Sequence, residues 1–225
     1  MIETTTSRKI LDQQEILNLL LLKPSFPFAC WKLPQNEELH VIVSLSEPRK
    51  IDGPLSGAAS GFVVNKFEDS HPVHPILIQG DILIKSDGSI ETSNRISEYE
   101  LNQFIDDLFQ SAEQAPKEDA PIPQNQPQEV STEFESMVKK ALQMIQSSEV
   151  DKVVLSRYED VKLDNSVNSL ELFLSLVNSY QNAFCNVWSV GDGAIWMGAS
   201  PETLVAQYGS TFRTISLAGT QPLAG

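Results

Sequence analysis

Residues 26–45 read FPFACWKLPQNEELHVIVSL and contain two short apolar runs, Phe26 to Leu33 and His40 to Leu45. Both runs are rich in aromatic or β-branched residues, which favour strands. Apolar residues recur at helical spacing over Ile10 to Leu22 and Glu98 to Phe109. Further strands are predicted at Gly61 to Phe67, Pro75 to Ile78 and Asp81 to Lys85. We therefore predict an α+β fold in which helices flank largely antiparallel sheets.

A segment rich in proline and glutamine, residues 111–130, interrupts this pattern. It reads SAEQAPKEDAPIPQNQPQEV, with four prolines, four glutamines and almost no large apolar residue. Such a composition cannot bury a core and is typical of a linker. We therefore predict an N-terminal α+β subdomain over residues 1–110, a linker over 111–130 and a second domain over 131–225.

The second domain begins with the clearest amphipathic helix of the chain, which starts at Ser131. A strand from Lys152 to Val161 and a helix from Val167 to Tyr180 are predicted to follow. The remaining predicted strands span Ala183 to Ser189, Ala194 to Gly198, Thr203 to Gln207 and Thr211 to Leu217. Glycine-containing turns, such as Gly191-Asp-Gly193, separate these strands.

The charge and composition of the chain exclude several classes of partner. The net charge is −14, whereas binding to nucleic acid or to an anionic membrane surface relies on clustered Lys and Arg. We therefore predict neither partner. No basic segment leads into an apolar stretch near Met1, so a cytoplasmic protein is expected. Cys30 and Cys185 are far apart in the sequence and are predicted to be buried free thiols.

Two residues are candidates for acid–base chemistry. Lys152 precedes the apolar run Val153 to Leu155, and a lysine that is desolvated there would have a lowered pKa and could act as a base. Glu202 follows Pro201 at a predicted bend, where burial would let it act as an acid. Local sequence alone favours a surface lysine and a solvated turn glutamate.

Two weaker signals accompany this pair. Leu217-Ala-Gly-Thr220 ends a predicted strand with a glycine, which permits close approach of a ligand, and a hydroxyl, which can bind a carboxylate. His71 and His74 have short spacing and no adjacent third ligand, so they are interpreted as loop histidines rather than metal ligands.

Three segments together resemble a known family. Residues 130–225 are similar to the first half of the chorismate-binding domain that isochorismate, salicylate, anthranilate and aminodeoxychorismate synthases share. The similarity is carried by Asp151 to Arg157 (DKVVLSR), Gly198 to Leu204 (GASPETL) and Leu217 to Thr220 (LAGT). It implies that the chain forms part of a two-subdomain αββ sandwich.

The resemblance implies a function for these residues. A lysine at the position of Lys152 is the base that activates water in isochorismate and salicylate synthases, and Glu202 would be the acid. Ala218 stands where aminodeoxychorismate synthases often have a nucleophilic lysine, so water is the expected nucleophile. Ala218, Gly219 and Thr220 would contact the substrate. The implied reaction is the isomerisation of chorismate to isochorismate, for menaquinone or siderophore supply, with Mg²⁺ as cofactor.

One departure from the family pattern concerns the metal. The family's Mg²⁺-binding glutamates cannot be assigned within residues 1–225, and we expect them beyond residue 225. The chain is therefore expected to be the N-terminal portion of an isochorismate synthase that is inactive alone and self-associates through exposed strand edges. The alternatives are a non-catalytic binding or regulatory domain of the same fold, and a salicylate- or anthranilate-type enzyme.

Overall fold

The computed structural model describes residues 11–52, 60–65, 74–113, 132–157, 161 and 167–214. The chain divides into two compact units. The first unit combines Met1–Pro116 with Asn168–Gly225, and the second is Lys117–Val167. In the described part of the chain, no helix has both the length and the apolar character needed to cross a membrane.

Three helices and eleven strands are described in the first unit. The helices are α1 (Gln13–Leu22), α2 (Glu98–Glu113) and α4 (Ser169–Ser179), while α3 (Thr132–Gln146) belongs to the second unit. The strands are β1 (Pro27–Lys32), β2 (Leu39–Val43), β3 (Arg49–Lys50), β4 (Gly61–Val64), β5 (Ile76–Gln79), β6 (Ile82–Ile84), β7 (Ile90–Thr92), β8 (Phe184–Val190), β9 (Trp196–Ser200), β10 (Ala206–Tyr208) and β11 (Thr211–Arg213).

All strand pairs among the described residues are antiparallel. The main sheet has six strands in the order β7-β6-β2-β1-β8-β9, and smaller sheets have the orders β3-β5-β4 and β10-β11. The predicted α+β fold with largely antiparallel sheets is therefore confirmed. Strands β7 and β9 are the edges of the main sheet in the described part of the chain, and self-association through strand edges stays a prediction.

The main sheet is covered by helices on one face and by the three-stranded sheet on the other. Side chains of α1, α2 and α4 share one apolar core with Phe28, Cys30 and Val187 on the helix-facing side of β1 and β8. On the opposite side, β5 contacts β1 and β2, and the ring of Phe62 in β4 lies 5.6 Å from that of Trp31. This helix–sheet–sheet layering agrees with the predicted αββ arrangement.

Helix α1 is fixed to the sheet by polar contacts at its first turn. Asp12 and Glu15 form a capping box, in which the Asp12 carboxylate accepts a hydrogen bond from Glu15 N at 2.8 Å and the Glu15 carboxylate accepts one from Asp12 N at 3.0 Å. The buried amide of Gln13 donates to the carbonyl oxygens of Leu39 and Ile84, at 3.0 and 2.8 Å. These contacts give α1 one register on β2 and β6.

The division of the chain differs from the predicted domains. Strand β1 pairs with β8 along its whole length, from Pro27 opposite Val190 to Lys32 opposite Cys185. The segment 168–214 therefore completes the sheet that begins in the first 110 residues, and it does not form a separate domain with residues 131–167. The predicted linker begins inside α2, and its residues 114–130 lie outside the described part.

The shared core can be tested with Phe28→Ala in β1 and Phe173→Ala in α4. Both rings are fully buried, and we expect each truncation to lower the free energy of unfolding by about 3–5 kcal/mol. The exposed ring of Phe212 provides the control, since Phe212→Ala should change that free energy by less than about 0.5 kcal/mol. Urea unfolding followed by circular dichroism measures all three. If Phe173→Ala lowers the free energy of unfolding and Phe28→Ala leaves it unchanged, β1 and α4 do not share a core.

Candidate functional site

Helix α3 precedes Lys152 in the second unit. This helix confirms the predicted amphipathic helix, although three of its apolar side chains, Met137, Leu142 and Ile145, are exposed within the described residues. The helix ends in a tight turn at Ser148, whose φ of 60° lies in the left-handed region. The Arg157 guanidinium stacks over the Phe134 ring at 5.7 Å.

The predicted strand from Lys152 to Val161 is not formed over the residues that the structure describes. Residues 152–157 have no regular secondary structure, Lys152 is exposed, and Val154 is 81% exposed. A strand needs a neighbour that takes up its backbone hydrogen bonds and covers its apolar side chains. No described strand pair supplies such a neighbour. The exposed position agrees with the surface lysine that local sequence favours, and the role of Lys152 as a base stays a prediction.

Glu202 lies in the first unit, two residues after the end of β9. The Ser200 hydroxyl accepts a hydrogen bond from Glu202 N and donates one to Glu202 O, both at 3.3 Å. Glu202 is exposed, as is Leu204, at 84%. The predicted bend is therefore confirmed, whereas the burial that would favour a protonated Glu202 is absent.

The other predicted site residues are only partly described. Ala218, Gly219 and Thr220 lie outside the described residues, as does His71. His74 Nδ1 lies 2.7 Å from an Asp52 carboxylate oxygen, which agrees with its interpretation as a loop histidine. Lys152 and Glu202 belong to different compact units, and their convergence on one cavity stays a prediction.

A cavity of about 460 Å³ lies between α4 and β9, beside the segment that leads to Glu202. Its wall includes Leu172 and Leu176 from α4, Tyr180 directly after that helix, and Met197, Gly198 and Ala199 from β9. Apart from the phenol of Tyr180, these side chains carry no ionisable group. The cavity can therefore hold an apolar or aromatic group, but it supplies neither a carboxylate nor an amine for acid–base chemistry.

Sequence reasoning missed the aromatic surface on the opposite face of β8 and β9. The rings of Trp188 and Trp196 stack with centroids 5.6 Å apart, and the register places Asn186 opposite Gly198. The sequence offered a signal for this face, because side chains on successive residues of a strand point to opposite faces. In β8 every second residue is buried, so the residues between them, including Trp188, share the other face.

The described residues do not provide a Mg²⁺ site. Among them, no three His, Cys, Asp or Glu side chains lie close enough to hold one ion. Asp81 is buried, but its carboxylate is already occupied by hydrogen bonds from Ser44, Leu45, Gln79 and Arg95. The described residues therefore contain no set of ligands for the Mg²⁺ ion that the family resemblance implies.

Cys30 and Cys185 are both buried and free, which confirms the prediction for the two thiols. Burial raises the pKa of Cys30, and burial also raises the pKa of Cys185, against the opposing effect of the nearby Lys32 charge. Because the thiolate is the reactive form, we expect neither residue to react with a thiol reagent at neutral pH until the protein unfolds. Labelling with iodoacetamide in increasing urea, read by mass spectrometry, tests this. Rapid labelling of either cysteine in native protein would contradict it.

Comparison with known proteins adds the family context. The model of the chorismate binding enzyme family matches residues 60–224, which is most of the chain. The isochorismate synthase EntC of Escherichia coli strain K12 is 38% identical over 88 residues, and EntC of strain O157:H7 matches equally. The aligned part covers 39% of this chain and 22% of the relative. No solved structure shows a significant match.

Proposed function

The chain belongs to the chorismate-binding enzyme family, and we propose that it is part of an isochorismate synthase that acts on chorismate. The observation that carries this proposal is the family match over residues 60–224, since that range includes Lys152, Glu202 and the segment 218–220. The 38% identity to an isochorismate synthase supports the choice of reaction within the family.

In the proposed reaction, Lys152 accepts a proton from water while the water oxygen bonds to C2 of the ring. The two ring double bonds each shift by one position, and the bond between C4 and its hydroxyl breaks. Glu202 donates a proton to the departing hydroxyl, which leaves as water. One water enters and one leaves, so the product is an isomer of the substrate. A positioned acid or base contributes about 10²–10⁴-fold to such a step.

Both groups need a different environment from the one described. An amine accepts a proton near neutral pH only when desolvation or a neighbouring positive charge lowers its pKa, and a carboxylic acid stays protonated there only when burial raises its pKa. Lys152 and Glu202 are exposed, and the described residues offer no set of Mg²⁺ ligands. We therefore propose that residues 1–225 alone do not turn over chorismate. The location of the metal ligands beyond residue 225 is proposed from the family resemblance.

The inactivity of the isolated chain is tested with purified protein of residues 1–225, chorismate and Mg²⁺. We expect no isochorismate, because neither acid–base group is desolvated. Products are separated by liquid chromatography, and the E. coli isochorismate synthase serves as the positive control. Isochorismate formation above the rate of a heat-denatured sample would refute the proposed inactivity.

The roles of Lys152 and Glu202 are tested in a protein in which this chain is joined to the remainder of a family domain. Lys152→Met and Glu202→Gln should each lower kcat by at least about 10²-fold, because each removes one proton transfer. The controls are Lys140→Met and Glu98→Gln, which remove exposed groups outside the family motifs and should leave kcat unchanged. Near-normal kcat in either motif variant would remove that residue from the mechanism.

The same assay separates the alternatives. Salicylate or anthranilate formation releases pyruvate, whereas isochorismate formation does not. A non-catalytic binding domain is favoured by the exposure of both motif residues, and it would bind chorismate without any product even in the joined protein. Pyruvate release would indicate a salicylate- or anthranilate-type enzyme. Chorismate that is bound but not converted would indicate a non-catalytic domain. Either result would refute the proposed reaction.

A further inference from the structure

Lys32 is a buried lysine at the end of β1, and only 3% of its surface is exposed. Alternation along the strand places it on the same side as Phe28 and Cys30, which is the side that the helices cover. Its partner in β8 is Cys185, and the Lys32 charge acts on that thiol. The fold therefore keeps a cation at the margin of its main apolar core.

The hydrogen bonds of this ammonium group are incomplete. Nζ donates to the carbonyl oxygen of Gln181 at 3.0 Å and to that of Leu33 at 3.4 Å. An ammonium group has three N–H donors, and the third has no acceptor among the described residues. No described carboxylate lies within 4 Å of it, although a buried charge is normally paired because desolvation costs several kcal/mol.

Lys32 lies in the wall of a cleft of about 380 Å³. Gln35, Asn36, Val177, Asn178 and Gln181 also line this cleft. A buried cation in the wall of a cleft that is otherwise lined mainly by residues with polar side chains can bind a carboxylate, which accepts up to four hydrogen bonds. The volume lies at the lower end of the range for small-molecule sites.

The turn that forms one wall of the cleft is held in an unfavourable backbone conformation. Gln35 has a φ of 57°, in the left-handed region, which costs about 1–3 kcal/mol for a residue other than glycine. Its N–H donates to the same Gln181 carbonyl that accepts from Lys32, and Asn36 N donates to Leu33 O. The strained turn thus keeps both carbonyl acceptors of Lys32 in place.

A purely structural role explains only part of this arrangement. Gln181 follows the C-terminus of α4, where a cation is stabilised by about 0.3–1 kcal/mol through the helix dipole. That interaction accounts for the contact with Gln181 O, whereas Leu33 O belongs to the residue that follows β1. It does not account for the third donor or for the polar cleft beside it.

We propose that the cleft beside Lys32 binds a small monocarboxylate, with the carboxylate on the Lys32 ammonium group. Glu37 also lines the cleft, and Lys32 is the one cationic residue among the described residues that line it. Glu37 therefore opposes any negative charge of a ligand beyond the one that Lys32 neutralises. This inference does not depend on the proposed isochorismate synthase activity, because it uses neither Lys152 nor Glu202.

Titration calorimetry of the 225-residue chain at constant ionic strength tests the proposal, with benzoate as the probe. Benzamide, which has the same shape without the charge, should bind at least about tenfold more weakly, because a hydrogen bond to a charged group is worth about 1.5–3 kcal/mol. Inorganic phosphate should also bind more weakly than benzoate, because Glu37 opposes its second charge. Equal affinity for benzoate and benzamide, or no benzoate binding, would overturn the proposal.

Three variants locate the site. Lys32→Met should abolish benzoate binding without reducing stability to urea, because an apolar residue of similar length avoids the cost of a buried charge. Glu37→Gln should tighten binding, and it keeps the test valid if Lys32→Met fails to fold. Lys140→Met removes an exposed lysine outside the family motifs and should leave benzoate binding unchanged. Three outcomes would place the benzoate elsewhere and refute the site: binding that survives Lys32→Met, binding that Glu37→Gln leaves unchanged, or binding that is lost in Lys140→Met.

Discussion

The pairing of β1 with β8 is the interaction on which the rest of the first unit depends. It joins residues 27–32 to residues 185–190 by an antiparallel backbone ladder, although in the sequence the whole second unit, residues 117–167, comes between these two segments. The ladder places α4 over the helix-facing side and adds β9 as the next strand. It therefore fixes both Lys32 and the start of the segment that carries Glu202. A change that weakens this ladder should affect both places together.

Local patterns in the sequence predicted most of the individual elements. The helices α1, α2, α3 and α4 were predicted because their apolar residues recur at helical spacing over ten or more residues. Strands β3 and β7 were missed because they are only two and three residues long and carry no alternating pattern. Their positions are determined by their neighbours β5 and β6 rather than by their own side chains.

Long-range pairing was the part that the sequence could not predict. The composition of residues 111–130 indicated a linker, but composition does not reveal that the chain after it returns to pair with β1. The same limit explains the error at 152–157, where an apolar, β-branched run has strand propensity but no described partner. Lys32 was overlooked because a lysine at the end of a strand is normally exposed. Its spacing of two residues from Cys30 and four from Phe28, which places all three on one face of β1, was the available signal.

The two lysines illustrate how burial, rather than residue type, determines what an amine can do. The chain has a net charge of −14, so an anionic ligand is attracted only where a local positive charge outweighs the overall field. Lys152 carries the family motif but is exposed, where water and salt screen its charge. Lys32 lies outside the family motifs, yet it is buried, incompletely paired and held beside a polar cleft. A positive charge in that position is screened least, because little water can reach it. Within the described residues, the stronger local attraction for a carboxylate is therefore expected at Lys32, and Lys152 can match it only after further residues cover it.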